Sequence, residues 1–347
     1  MIINKTQSGL DTHGKTNTDT EYYIFNPDTE MALAAGGVSY TPPAAVKRYI
    51  DTFSLFPALY APDGASIIVD KSLINHIDTL PYYDEACSRN MTVCTYESIT
   101  PGNVRPWGWN MALRQKLINA DIPAEIIPSE EQINRIRSLA HRSLTTRIHE
   151  YFQASLKPQF FTHIDEALCY ANTLKEHGFV AKLPWSSSGR GVFFNPDKLT
   201  LSRMMHRQGG VMIEPLWDKG LDFATEWVCR DGRVEFCGFS LFQNNNLGKW
   251  GDNMVASQDV IREHIEKYCD GRQLTETINR LSTALTRYVA PDYEGPLGVD
   301  MLCNRKGNIN PCVEVNMRMT MGHVALRMFA QNRIPPAGII HTNIMRE

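Results

Sequence analysis

Two neighbouring segments near the C-terminus hold the residue types best suited to chemistry. In INPCVEVNMR (309–318), Glu314, Asn316 and Arg318 share one parity, and Val313, Val315 and Met317 share the other. A strand here has one polar and one apolar face. PLGVDMLCN (296–304) reads as its partner, and Lys306-Gly307-Asn308 between them is a hairpin signature. If those residues form a three-residue loop, Asp300 faces Glu314, with Cβ atoms about 4.5–5.5 Å apart, and such like charges need a cation between them. Two carboxylates and an amide are hard oxygen donors that suit magnesium, with manganese as an alternative. Arg318 can hold a phosphate or carboxylate in bidentate fashion. Taken alone, Glu-x-Asn-x-Arg also describes a solvated strand face with an ordinary ion pair; the opposed Asp300 favours the metal. In this register Cys303 and Cys312 fall on opposite faces, so no disulfide links them.

Lys182 ends the hydrophobic run FVAKLPW (179–185). Ser186, Ser187, Ser188, Gly189, Arg190 and Gly191 follow before GVFFN (191–195) resumes a strand. Small residues let backbone N–H groups point at an anion, and hydroxyls add donors, so the loop can cover phosphates. It lacks the spacing and the following helix of a P-loop, and a plain surface hairpin has the same composition. Further on, VMIEPL runs into Glu214-Pro215-Leu216, with Asp222 six residues after Leu216. The Pro215 carbonyl and the Leu216 amide could serve an adenine edge, and Asp222 the ribose hydroxyls. A strand that merely stops at a proline would look alike.

These segments need elements to position them. EYYIF (21–25), SIIVD (66–70), MTVCTY (91–96) and AEIIPS (124–129) read as short strands. They alternate with helix-like stretches, notably Trp107–Asn119, as in a parallel-sheet α/β unit. Gly36-Gly37 lacks the spaced third glycine of a dinucleotide fingerprint. FNPDTEMALAAGGVSYTPP (25–43) lies at a strand end, where open α/β sheets bind ligands, though an ordinary connection is equally compatible. The tryptophans of WGWN (107–110) suit a cleft wall or packing at a helix start. Ser129-Glu130-Glu131-Gln132 is a capping box, followed at helical spacing by Ile133, Ile136, Ala140 and Leu144. Beyond about 178 the pattern turns to strands, with Asp231-Gly232 a second hairpin signal. Residues 258–289 read as helical with a break at Asp270-Gly271. His323, just after the metal strand, reads as a helix-start or packing residue.

Composition narrows the partners. The 347 residues carry 35 Lys+Arg against 38 Asp+Glu, a formal charge of −3. With no basic run, nucleic acid is not the expected ligand, and no apolar stretch approaches the length of a membrane span. Eight cysteines without a Cys-x-x-Cys pair suit a reducing cytoplasm. Residues 1–20 are polar and read as a flexible tail.

The order of pieces, AKLPWSSSGRGV, then IEPLWDKGLDFATE, then GVDMLCN and CVEVNMR, resembles the ATP-grasp superfamily of ATP-dependent ligases over roughly 135–330. The resemblance implies a mixed α/β and α+β architecture. An N-terminal α/β (pre-ATP-grasp-like) domain at 21–134 would precede a two-lobed ATP-grasp domain with antiparallel sheets at 135–347. Its lid lobe would span about 142–212 and its metal-binding lobe about 213–347. Carried over by position, Lys182 would contact the α- and β-phosphates and Ser186–Gly191 would close over the triphosphate. Glu214, Pro215 and Leu216 would hold adenine, Asp222 the ribose, and Asp300, Glu314 and Asn316 the magnesium. Arg318 would face the reacting phosphoryl group or the substrate carboxylate. Two positions fit the pattern loosely. Arg142 stands where the family often has an earlier phosphate-binding lysine, and a helix-surface arginine is the alternative. Lys249 in NNNLGKWGDN is either a further phosphate contact or a solvated loop residue. The implied activity is ATP-dependent activation of a small-molecule carboxylate for attack by an amine. The alternatives are a kinase acting on a hydroxyl and a nucleotide-binding protein without turnover, and a homodimer is the prior for assembly.

Overall fold

The computed structural model describes residues 20–100, 102–186, 191–244, 250–335 and 338–341. Three sheets organise them. The first is parallel, formed by β1 (Thr20–Ile24), β2 (Ser66–Val69), β3 (Thr92–Thr95) and β4 (Gly102–Pro106) in the order β3-β2-β1-β4. The run Ser66-Ile67-Ile68-Val69 is buried throughout, as a strand covered on both faces should be. The helices α1 (Thr29–Ala35), α2 (Ala44–Thr52), α3 (Tyr83–Ser88) and α4 (Met111–Asn119) belong to this unit. Strand order reverses between β1 and β4, which puts the crevice of a topological switch point at their C-terminal ends.

The helices α5 (Glu130–Leu139) and α6 (Ser143–Tyr151) lead onward. The α5 capping box forms as expected: Gln132 N donates to Ser129 Oγ at 3.2 Å, and Ser129 N to Gln132 Oε1 at 2.7 Å. A small antiparallel sheet follows, β5 (Gln159–Phe161), β6 (Phe179–Lys182), β7 (Val192–Phe194) and β8 (Val211–Pro215), in the order β5-β8-β6-β7. Helices α7 (Ile164–Thr173) and α8 (Lys198–Gln208) pack on it, burying Ala181, Leu183, Val211 and Ile213 with Leu174, Leu201 and Met204. With Ala181 and Leu183 committed to that core, alternation turns Lys182 to the other face.

The large sheet is antiparallel, with β9 (Lys219–Arg230), β10 (Arg233–Asn244), β11 (Trp250–Met254), β12 (Gly295–Asn304), β13 (Ile309–Asn316) and β14 (Ile339–His341) in the order β13-β12-β9-β10-β11-β14. Asp231 and Gly232 join β9 to β10 with φ of 51° and 69°, the two positive values a type I′ turn requires. Beneath one face lie α9 (Gln258–Glu266) and α10 (Gly271–Tyr288), packed with α6 against Phe223, Trp227, Val299 and Met301. Leu274, Ile278, Leu281 and Leu285 make the buried stripe of α10, and Asp270 caps its N-terminus at 2.9 Å. Such a cap contributes about 1 kcal/mol. The last helix, α11 (Met321–Ala330), covers part of the opposite face. There Val324, Ala325 and Met328 share one core with Phe25, Phe56, Tyr60 and Trp107 of the parallel unit.

Several sequence readings need correction. AEIIPS is not a strand: Ala124–Ile126 forms a single 3₁₀ turn. The WGWN tryptophans precede their helix, whose N-cap is Asn110. Leu144 does not continue α5, which ends at Leu139, but belongs to α6. The loop between β12 and β13 is longer than three residues. Cys303 pairs with Ile309, and a register shift between Asp300 and Leu302 restores the Asp300–Glu314 pairing. Pro311, which has no N–H to give the ladder, lies within that shift.

Candidate functional site

The opposed carboxylates are present. Asp300 pairs with Glu314, and the next row sets Gly298 beside Asn316 and Glu226. Burial and the facing Glu314 push the Asp300 carboxyl up to about 7, against the opposing pull of Arg318 and a hydrogen bond from Asn316. The expected positive charge comes from two arginines on different elements. Arg142, at the N-cap of α6, is 5% exposed. It donates to Glu314 Oε1 at 2.6 Å, Leu183 O at 2.7 Å and Ser186 Oγ at 2.6 Å. It is therefore not a helix-surface residue. Arg318 donates to Asn316 Oδ1 at 3.1 Å, to Met319 O at 3.0 Å and to Glu30. Two carboxylates and an amide oxygen, of which Glu314 and Asn316 are met by guanidinium groups, suit a hard divalent cation. Among the described residues no group of three or more His, Cys, Asp or Glu side chains could hold a metal ion, so this set of two carboxylates and an amide is a site that a ligand's own oxygens would have to complete.

Lys182, 6% exposed, is bound to Glu214 Oε1 at 2.5 Å. The small sheet supplies both residues, since Val180 pairs with Glu214 and Lys182 with Met212. Lys182, Glu214, Asp300 and Glu314 all act on the Cys312 thiol, which burial drives far above its usual range. The lysine of the small sheet and the carboxylates of the large one therefore face one cleft. His149 backs it, its Nε2 2.9 Å from Cys312 O, and burial holds the imidazole below its ordinary range. Pro215 ends β8 at the cleft, but the Leu216 amide already donates to Gly178 O at 3.0 Å. That corrects its reading as an adenine donor. Asp222 is paired with Lys219. Gly191 has φ 74°, and a Cβ there would lie 2.7 Å from Leu183 Cδ1. This tight turn returns the loop to β7. Ser187, Ser188, Gly189 and Lys249 lie outside the described residues.

Sequence reasoning missed what the parallel unit brings. Glu30, in the first turn of α1, reaches Arg318 with its side chain 12% exposed. Burial holds its carboxyl above the usual range in spite of that partner. Asn26 clamps Gly108, donating to its carbonyl at 2.7 Å and accepting from its amide at 3.3 Å. Asn110 donates to Thr29 Oγ1 at 3.2 Å. The loops after β1 and β4 are thus braced together at the switch point, beside the end of β13, where Met319 N donates to Trp107 O at 2.8 Å. Trp107 packs into the aromatic core, and Trp109 packs against two cores. The signal for Glu30 was its place just after β1, but strand-end position alone does not say which polar side chain turns inward. Between Glu30, Leu33, Trp185, Ser186, Glu314 and Arg318 remains a crevice of about 10 Å³, room for one water.

Glu226 was also missed. It is 1% exposed, accepts from Thr320 Oγ1 at 2.6 Å, and is pushed up to about 8, chiefly by burial. Alternation inside a long strand gave no sign that one inward position would be acidic. His323 beside it is a packing residue, with Nε2 3.1 Å from Trp227 O and 3.2 Å from Leu297 O, and burial lowers it to about 4.

No family model matches the sequence, and no curated protein matches it. Solved structures do. The biotin carboxylase–β,γ-ATP complex from Campylobacter jejuni is 13% identical with a TM-score of 0.56, the match covering 89% of this chain and 67% of that one. The biotin carboxylase domain dimer of Hydrogenobacter thermophilus 2-oxoglutarate carboxylase, with MgADP, ADP and bicarbonate, is 11% identical. Its TM-score is 0.51, and the match covers 93% of this chain and 72% of that one. At such identities the likeness concerns the fold, and it extends over the parallel sheet as well as the two antiparallel ones: this chain has the ATP-grasp fold.

Proposed function

We propose that the protein is an ATP- and magnesium-dependent ligase that activates a substrate carboxylate as an acylphosphate for attack by an amine. The observation that carries this reading is the Asp300–Glu314 pair, with Arg142 of α6 and Lys182 of β6 brought to it from other elements and Arg318 just beyond β13. A site without turnover has no physical reason to keep two opposed carboxylates, because each raises the cost of the other.

Each cation is now held by a carboxylate: Arg142 by Glu314, Lys182 by Glu214 and Arg318 by Glu30. A triphosphate competing for Arg142 and Lys182 would free Glu314, and Glu314, Asp300 and Asn316 are the residues that would hold magnesium. The ion would supply charge neutralisation. The Pro215 carbonyl accepts from the adenine amino group, and the ring-nitrogen donor falls to the amide of Trp217, since that of Leu216 is engaged. Asp222 is kept for the ribose. A substrate carboxylate oxygen attacks the γ-phosphorus and ADP leaves; the amine then attacks the acyl carbon, phosphate leaves, and the amine proton passes to solvent. Arg318 and Lys182 offset charge on the transferred group.

Eight free cysteines among the described residues support a reducing compartment, the cytoplasm. No described helix is long and apolar enough to cross a membrane. The test is release of ADP and phosphate on mixing ATP, magnesium, candidate acids and hydroxylamine, with the hydroxamate as product. A stable phosphorylated product in place of the hydroxamate would establish the kinase reading and overturn this one.

A further inference from the structure

The pairing of Arg318 with Glu30 constrains the acid substrate. Arg318 uses its guanidinium on Glu30, on Asn316 and on the Met319 carbonyl. Of these partners only Glu30 is an anion that an incoming carboxylate can replace. The crevice beside the pair has room for one water, so a substrate reaches Arg318 by separating it from Glu30. Glu30 then stays behind, nearly enclosed and without its cation. Arg142, the other cation acting on it, is bound to Glu314 and passes to phosphate in the function proposed above. A simple carboxylic acid would leave Glu30 as an uncompensated buried charge, which is heavily penalised. A ligand that also carries a cation a few ångströms from its carboxylate gives each half of the opened pair a new partner.

We propose that the acid substrate is an α-amino acid bound as its zwitterion, its carboxylate on Arg318 and its ammonium on Glu30. Glu30 is then a specificity-determining residue contributed by the parallel-sheet unit. The geometry also sorts the two amines of the reaction. The ammonium on Glu30 stays protonated and cannot attack, so the nucleophile is a separate amine. The brace of Asn26 on Gly108 and of Asn110 on Thr29 fixes the turn that carries Glu30. This inference rests on the ligase reading, and its test separates the two.

The experiment compares α-amino acids with their des-amino counterparts, alanine against propionate and phenylalanine against hydrocinnamate. One arm measures hydroxamate formation with ATP, magnesium and hydroxylamine, and the other thermal stabilisation in the presence of ADP and magnesium, without turnover. Wild type should favour the amino acid by about a hundredfold in kcat/KM, the factor expected when one partner of a buried ion pair is left alone. Glu30→Gln should lose most of that preference, mainly through KM. If des-amino acids react as well as amino acids, or if Glu30→Gln keeps the preference, the zwitterion proposal is wrong while the ligase reading stands. If amino acids stabilise the protein selectively but no hydroxamate forms, zwitterion binding at Arg318 and Glu30 holds, while the ligase reading falls and the role of the amino acid as acid substrate falls with it. The wild-type comparison needs no variant, so a poorly folding Glu30→Gln does not blunt it.

Discussion

Replacing Asp300 by asparagine should have opposite effects with and without ligand. The Asp300 carboxyl is pushed from 3.8 to about 7 by burial and by Glu314. That is about three pKa units at ~1.36 kcal/mol each, a ceiling of about 4 kcal/mol at pH 8. Asp300 is only half-buried, so solvent screening reduces this to about 2 kcal/mol. Asparagine keeps the shape and can still bond Asn316, but it removes the repulsion. Without ligand at pH 8 the variant should melt about 3 °C above wild type. At pH 5.5, where Asp300 carries its proton, the difference should shrink. Saturating magnesium and ATP at 100 times the dissociation constant should stabilise wild type by about 2.7 kcal/mol. The variant should lose the magnesium-dependent part, so the order of melting temperatures reverses. Differential scanning fluorimetry of both proteins at two pH values, with and without Mg–ATP, reads all of this. A variant less stable than wild type at pH 8 without ligand would refute the electrostatic argument, and one that keeps the full magnesium-dependent shift would refute the metal assignment.

Three further outcomes are expected. Glu226 has its carboxyl raised from 4.5 to about 8, so its contribution to stability is complete below pH 4.5, declines as pH rises and is lost through pH 8. Glu226→Gln should flatten that decline in chemical-denaturation series, and parallel slopes in the two proteins would contradict it. A Cβ on Gly322 would lie 1.9 Å from Glu226 Oε1, so Gly322→Ala should cost about 3 kcal/mol; adding Glu226→Ala should recover much of it in a double-mutant cycle. Arg142→Met removes the Glu314 partner and should destabilise the ligand-free protein by about 3 kcal/mol and weaken ATP binding, as calorimetry would report.

The parts of the fold legible in the sequence were those written in local chemistry. Asp231-Gly232 and the Ser129–Gln132 box each specify a backbone geometry within four residues, and both formed as read. The facing of Asp300 and Glu314 was legible because strand alternation transmits parity over several residues. The loop length assumed on the way was wrong, and the register shift at Pro311 compensated for it. What was not legible depends on partners distant in sequence. Three-residue strands such as β5 and β14 have no periodicity to detect and exist through pairing with β8 and β11. AEIIPS has strand composition, yet it lies against the edge strand β4 as a single 3₁₀ turn and does not pair with it. The Leu216 amide looked free because its acceptor, Gly178, lies far back in the chain. Glu30 meets Arg318 from 288 residues away, a separation no local pattern encodes.

The shared core of Phe25, Phe56, Tyr60 and Trp107 with Val324, Ala325 and Met328 bears on how the chain comes apart. A truncation that kept only the two antiparallel sheets would lay bare the apolar surface of Val324, Ala325 and Met328, so that fragment should aggregate and would be a poor minimal nucleotide binder. The small sheet closes its own core around Ala181, Leu201 and Ile213 and can open or melt locally while the rest stays folded. Limited proteolysis should therefore cut first at the edges of that sheet, leaving the parallel unit and the large sheet together as one resistant piece.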